Sequence, residues 1–406
     1  MSGVARMRRS FLPWLIAGAI AWFGVVFIGW GLWNQDPPRA GFDLALLLDG
    51  ARALAAGQSP YDPAMLAGGS PSATELFYSY PPPVAQAMQL VAWLPDGVVL
   101  VVWGVGATLG LGHIGGEIAR RHRDGEPRST IIGAKAMLDA PLFLPVAIAV
   151  LFGNLDAWYP LAYGALLLAA FPTSGPGTFL AAGVAVAVVA VAKLHPGTLV
   201  LWLLARVLVE RGGPWRTVLA ACVVAGLAIV GVSVLLGGVQ LWLDYLAVIR
   251  AGAGAELVDP RNLGPVSLLG QATGIEGDTL KGAQAVVALA AAALTVVAAV
   301  RVKDPIASLA VAFAASLVVL PVTWYHYPVA LVPIGLALAI TRPASRPWVA
   351  AAMAVAGVAI AIGPLLWVAV AIIVVAAFRV PEPERGPGST TRDAPVVPVT
   401  GRTTSP

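Results

Sequence analysis

The sequence predicts an all-α, polytopic membrane protein of about 12 transmembrane helices, taking ~20 apolar residues per crossing, with long external loops that carry interfacial helices. Three observations predict it. Charged residues make up only 11% of the 406 positions, against roughly a quarter in soluble domains, so a water-facing surface could not be coated. Apolar residues are 58% of the chain and fall in long blocks, such as 11–33 and 283–300. The basic residues sit in the short gaps between blocks, and with a net charge of only +4 that spacing reads as topology, not as nucleic-acid binding.

The first block follows Arg6, Arg8 and Arg9. It is too long for a signal-peptide core and ends at Trp30, Trp33 and Asn34 with no small-residue cleavage site, so it reads as the first membrane helix, entered from the cytoplasm. Later basic clusters are Arg120, Arg121, Arg123 and Arg128; Arg206, Arg211 and Arg216; Arg301 and Lys303; Arg342 and Arg346; and Arg379. Placing each cluster inside requires an even number of crossings between them. The blocks 11–33, 96–118, 130–152, 156–171, 178–194, 197–209, 216–237, 279–300, 306–322, 327–341, 347–362 and 364–378 satisfy that, with both termini cytoplasmic. Residues 1–10 form the N-terminal segment and 11–378 the membrane domain. The Pro-, Gly-, Thr- and Ser-rich tail at 379–406 is too poor in apolar residues to fold and is expected to be disordered and cytoplasmic.

Several blocks are short and are joined through Pro or Gly, as at Leu194–Gly197 and Tyr325–Pro328. Short, broken helices belong where protein or water satisfies their ends, and so line a cavity. Two external loops, 34–83 and 238–278, are long enough to be functional. Each carries an amphipathic helix expected in the headgroup plane: Leu44, Leu47, Leu48, Ala51, Leu54 and Ala55 share one face, as do Leu241, Trp242, Tyr245, Leu246 and Ile249.

On this topology Asp43, Tyr61, Asp62, Asn154, Asp156, Lys193, His195, Asn262 and His326 all fall on the external side. Asp43 is open to two readings, a helix N-cap or a general base. Lys193, at the end of an apolar block, is a snorkelling anchor or a cation for a lipid phosphate. His326, flanked by Trp324, Tyr325 and Tyr327, is an interface residue or a hydrogen-bond donor to the same group. Asn154 and Asp156 read equally as a helix-end polar pair, Asp49 and Arg52 as a surface ion pair, and the tyrosines as an aromatic belt. The single cysteine, Cys222, lies in an apolar block, reads as a small buried residue and excludes an internal disulfide. Phosphate loops, nucleophile elbows and paired-histidine zinc motifs are missing, and no cofactor or metal is expected.

Gly41-Phe-Asp-Leu, then Gly57-Gln-Ser-Pro-Tyr-Asp62, Phe77-Tyr-Ser-Tyr80-Pro-Pro82 and Leu94-Pro-Asp resemble the first external loop of glycosyltransferase family 87, GT-C membrane enzymes that use polyprenyl-phosphate sugars. Gly153-Asn-Leu-Asp156 resembles the family's Gly-Gln-x-Asn, with Asn for Gln and Asp for Asn. Lys193-Leu-His-Pro196 resembles its Lys-x-x-Pro, and Asn262–Ser267 an interrupted Asn-Gln-Ser. Pro321–Tyr327 resembles the Pro-x-Ser-Trp-x-His segment of polyprenyl-phosphomannose-dependent members. The resemblance runs over residues 15–340. It implies a GT-C-like fold and an inverting transfer from a polyprenyl-phosphate donor to a lipid or polysaccharide hydroxyl, outside the cell membrane. Asp43 would be the base, and Lys193 and His326 would hold the donor phosphate. Tyr61, Asp62, Tyr80, Asn154, Asp156, His195, Asn262 and Trp324 are candidate substrate contacts. The His326 segment favours mannose over arabinofuranose. A secondary transporter or lipid flippase is the rival class, but it would place charges at mid-helix and show an internal repeat.

Overall fold

Pro and Gly divide the apolar sequence into helices at the places the broken blocks indicate. The computed structural model describes residues 3–379, apart from 37, 73, 75, 123–125 and 212. The tail beyond Arg379 and Arg123 lie outside the described residues, as do the side chains of Arg6, Arg8, Arg9 and Arg128. Among the described residues the chain is 78% helical, with no strand.

The order is α1 (Gly3–Trp33), then α2 (Phe42–Ala55), α3 (Pro63–Leu66) and α4 (Pro82–Met88), which lie in the long connection after α1. Next come α5 (Asp96–His122), α6 (Glu126–Asp139), α7 (Leu144–Leu151), α8 (Tyr159–Ala169), α9 (Pro176–Ala192) and α10 (Thr198–Val209). The second half holds α11 (Trp215–Val258), α12 (Pro265–Thr273), α13 (Gly277–Arg301), α14 (Pro305–Ser316), α15 (Val332–Thr341), α16 (Arg346–Val358) and α17 (Leu365–Phe378). Pro176, Pro265 and Pro305 each open a helix, where the missing N–H has no intrahelical partner to lose.

The expected count of twelve crossings is not established. Among the described residues four helices are long and apolar enough to span: Leu15–Trp33 within α1, α5, α11 and α13, or five if one bent pair counts as a span. That pair is the predicted block 130–152, which is not one straight helix: it turns by 82° between Ser129–Leu142 and Leu144–Leu151, where Pro141 and Pro145 interrupt the hydrogen-bond ladder. The remaining apolar helices have 10–17 residues, and at 1.5 Å per residue most fall short of a hydrocarbon core ~30 Å thick. The block 306–322 is also cut, since α14 ends at Ser316 and irregular backbone follows. Gln284 on α13 satisfies the freed carbonyls, donating to Val318 O at 3.0 Å and Leu320 O at 2.8 Å. Thr323 Oγ1 closes Leu317 O at 2.8 Å, so the break survives at membrane depth.

Large apolar side chains face outward from the long helices, among them Phe23, Leu235 and Leu289, as lipid-facing surfaces require. Inside, Trp202, Tyr163 and Phe313 are fully buried in one core, and the indole N–H of Trp202 is satisfied by Ser308 Oγ at 2.9 Å. Cys222 is buried, as expected.

Basic helix ends gather together. Arg121 at the end of α5 reaches Leu168 O in α8 and Thr178 Oγ1 in α9, both at 3.0 Å. Arg206 in α10 reaches Ala299 O in α13 at 3.1 Å, and Arg342 after α15 reaches Ala377 O in α17 at 2.6 Å.

At the other ends a second core forms from the connection after α1 and the outer half of α11. The apolar face of α2 (Leu44, Leu47, Leu48 and Ala51) is buried against protein, not laid on lipid as expected. Its partners include Tyr61, Tyr78 and Tyr80, together with Leu241, Tyr245 and Val248 from the outer half of α11. These tyrosines are therefore core residues and not an interface belt. α11 changes direction at Gly238 (φ 74°, ψ 168°), a conformation that glycine alone tolerates readily. That kink separates its membrane half from its amphipathic half, where the sequence places the loop boundary. Arg52 and Asp49 pair at 3.2 Å as expected. Arg52 also pairs with Asp96 and donates to Ala92 O at 3.2 Å, which clamps α2 to the start of α5.

Candidate active site

Two glycines deliver Asp43 to its neighbours. Gly41 (φ 71°) lets the chain enter α2 with its N–H on Leu151 O at 3.0 Å, and Phe152 O then accepts from the N–H groups of Asp43 (3.1 Å) and Leu44 (3.2 Å). The open N-terminus of α2 is thus capped by the backbone at the end of α7. Gly153 (φ 65°) makes the next turn, and a Cβ there would sit 2.6 Å from that of Leu44. The residue at the N-cap position of α2 is Gly41, with no side-chain bond, so Asp43 is not a cap. Its Oδ2 accepts from Asn154 Nδ2 at 2.7 Å.

Asn154 does the capping instead: its Oδ1 accepts from Asp156 N at 2.8 Å and opens the 3-10 turn Leu155–Trp158. That turn aims the fully buried carboxylate of Asp156 at Lys193, whose Nζ is 3.0 and 3.2 Å from its two oxygens. Lys193 ends α9, mostly buried, and its Nζ lies 4.1 Å from the centre of the Tyr327 ring. It is not a snorkelling anchor. His326 is buried, with Nε2 3.2 Å from Asp156 Oδ2 but off the line of a hydrogen bond. Asp43, Asn154, Asp156, Lys193 and His326 are therefore one constellation drawn from four separate segments.

The electrostatics follow from that packing. Burial pushes Asp43 above the ordinary carboxylate range, and the opposing influences of His326, the Asn154 hydrogen bond and Lys193 do not cancel it. Burial would also raise Asp156, but Lys193 and His326 outweigh it and hold that carboxyl well below the usual range. The two acids are thus tuned apart, one ionised firmly and one held closer to its proton, which is the pattern that separates roles in acid–base sites.

The other candidates divide. Tyr80 and Trp324 line the same cavity as Asp43 and Lys193, of about 140 Å³, and Arg261 lies over the Trp324 ring at 5.6 Å. Tyr61 does not line it: its hydroxyl donates to Tyr80 O at 3.0 Å within the second core. Asp62 N-caps α3 through Ala64 N at 2.7 Å. Asn262 is a structural knot, donating to Glu256 O and Pro321 O and accepting from the N–H groups of Gly264 and Thr323. His195 is buried flat against Tyr327, 5.2 Å between ring centres, with neither ring nitrogen hydrogen-bonded. Sequence reasoning missed Glu256, Asp259 and Tyr327, which all line the cavity. Glu256 had a readable signal, an isolated acid in the small-residue run Ala251–Ala255 beside an apolar helix.

A larger cavity of about 570 Å³ lies between α1 and α5, lined by groups such as Trp22, Trp30, Leu100 and Val105. Its lining has no ionisable side chain, so the chemistry belongs to the smaller one. Among the described residues no three His, Cys, Asp or Glu side chains are grouped as metal ligands.

A helical membrane chain with an acid and an ion-paired lysine lining one cavity, and a histidine packed behind them, has the form of a membrane glycosyltransferase. The family comparison makes that specific. The model of glycosyltransferase family 87 matches residues 78–324, more than half of the 406 residues, and the chain belongs to that family. No individual curated protein matches it.

Proposed function

We propose that the chain is an inverting transferase that moves a sugar, with mannose favoured, from a polyprenyl-phosphate donor to a hydroxyl of a lipid or polysaccharide acceptor at the extracytoplasmic face. The observation that carries the reading is that Asp43, Asn154 and Lys193 line one cavity, with Asp156 packed against Lys193 and His326 against Asp156 behind its wall. The acceptor hydroxyl gives its proton to Asp43 as its oxygen bonds to the anomeric carbon. The bond from that carbon to the phosphate oxygen breaks on the opposite side, which inverts the centre. Asn154 occupies Asp43 Oδ2 and leaves the other oxygen to take the proton.

Charge builds on the departing phosphate as an oxocarbenium-like state forms. Lys193 brings a positive charge to the cavity wall, and the His326 ring can donate a hydrogen bond beside it. Such groups suit a phosphate in a site of low dielectric. Asp156 also keeps both side chains in position before the donor arrives, the preorganisation that makes such stabilisation effective. Sidedness rests on the basic helix ends: Arg121, Arg206 and Arg342 lie at the opposite ends of the bundle from these residues, and basic ends mark the cytoplasm. The membrane domain would then run over 11–378.

Membranes containing the protein, incubated with radiolabelled polyprenyl-phosphomannose and polyprenyl-phosphoarabinose, should form a labelled lipid or polysaccharide product from the mannose donor. Labelled product from arabinose alone would correct the sugar. The absence of product from both, with the protein inserted at normal abundance, would refute the donor class.

A further inference from the structure

The cavity contains an acid that this reaction does not use. Glu256 sits in the last turns of α11 and lines the same walls as Asp43, Asn154 and Lys193. None of the described residues donates a hydrogen bond to its carboxylate. The nearby cations are committed elsewhere: Lys193 Nζ is 3.0 Å from Asp156, and Arg261 makes its closest bond, 2.6 Å, to Asp259. An ionised carboxylate in a protein wall without donors is costly, and folding alone gives no reason to keep one there.

Its position relative to the other charges narrows what it can meet. Asp43, Lys193, Tyr80, Tyr327 and Glu256 all line this one cavity. Lys193, the cation proposed to hold the phosphate, is a charged neighbour of both acids. In its ionised form a carboxylate only accepts hydrogen bonds, so in that form it meets hydroxyl donors and not a phosphate. A sugar ring whose anomeric phosphate lies on Lys193 brings such donors between the two acids.

We propose that Glu256 is a specificity-determining residue whose carboxylate accepts hydrogen bonds from ring hydroxyls of the transferred sugar. This rests on reading the cavity as the donor-sugar site. Sites built to bond a hydroxyl reject the analogue lacking it strongly, because the buried partner is left unsatisfied, by up to about 10⁴–10⁵-fold. Charge-assisted bonds of this kind are the stronger ones.

The test compares wild type, Glu256→Gln and Glu256→Asp in membranes. Each is assayed with whichever polyprenyl-phosphate sugar, mannose or arabinose, the wild type uses, and with its monodeoxy analogues. Binding of polyprenyl phosphate without sugar is measured beside it. The wild type should lose about 10²-fold or more in kcat/KM on at least one deoxy analogue. Glu256→Gln should lower kcat/KM on the full sugar and flatten that penalty, while binding the sugarless lipid as well as the wild type does. Glu256→Asp, which keeps the charge, should retain the wild-type ranking and serves if the Gln variant inserts poorly. An unchanged ranking in Glu256→Gln would overturn the proposal with the donor reading intact, as would an equal loss of affinity for the sugarless lipid. A wild type that transfers neither sugar removes the donor reading and this inference with it.

Discussion

Replacing Asp43 by Asn separates chemistry from architecture at a single atom. The α2 helix start is held by backbone, with Asp43 N and Leu44 N on Phe152 O, and neither bond involves the side chain. The one side-chain bond, from Asn154 Nδ2 at 2.7 Å, can be accepted by the amide oxygen of the variant. The structural cost is therefore at most that of weakening one hydrogen bond, about 1 kcal/mol. It is offset in part because a buried carboxylate, which burial already disfavours, is exchanged for a neutral group. The catalytic cost is much larger. General-base catalysis contributes about 10²–10⁴-fold, which at 1.36 kcal/mol per tenfold is about 3–5 kcal/mol of barrier. The assay is transfer of labelled sugar from the polyprenyl-phosphate donor, with donor binding and melting temperature measured on the same preparation. Expected are a loss of turnover by two to four orders of magnitude, donor affinity within a few-fold of wild type and an unchanged melt. Near-normal turnover in an intact Asp43→Asn protein would show that Asp43 is not the base and would move the reaction centre away from α2.

The raised pKa of Asp43 predicts an acid limb. The base works only when unprotonated, so kcat/KM should fall as pH drops through a value above the ~3.9 of a free aspartate. Asn154→Ala removes a bond that favours the ionised form and should move the limb to still higher pH, as a pH–rate profile will show; a limb that stays in place would contradict it. Asn262→Ala should act on stability, not on selectivity. It orphans the buried partners of four hydrogen bonds, each worth about 1–3 kcal/mol when left unsatisfied, so the melting temperature should drop while the inserted protein keeps its preference among donors. A change of donor preference with a normal melt would return Asn262 to the substrate contacts.

Much of the site was legible because its residues break local rules. Lys193 ends an apolar block, His326 interrupts an aromatic run, Asp43 comes two residues after Gly41 and Asn154 directly follows Gly153; each is an expensive residue in an apolar context, and such residues announce themselves. Two candidates that fall away from the cavity, Tyr61 and Asn262, have partners distant in sequence. Nothing near Tyr61 or Asn262 says that one closes the second core and the other ties α11 to the 321–323 segment. Asp43 read equally well as a cap until the backbone of Phe152 was seen in that place. Glu256 was passed over because its significance is relative: it matters through the cavity it shares with residues more than 60 positions away.

The sequence by itself determined that this is an all-helical membrane chain and which end of its bundle holds the polar residues. It did so because hydrophobic block length and basic loops are local quantities, set by the solvent on each side of the segment. Only the tertiary structure decided that α2 faces protein and not lipid, that Asp156 lies 3.0 Å from Lys193 and 3.2 Å from His326, and that one predicted crossing bends by 82°. Those outcomes depend on which carbonyl or carboxylate lies within about 3 Å of a given donor, a distance set by packing between elements far apart in the chain.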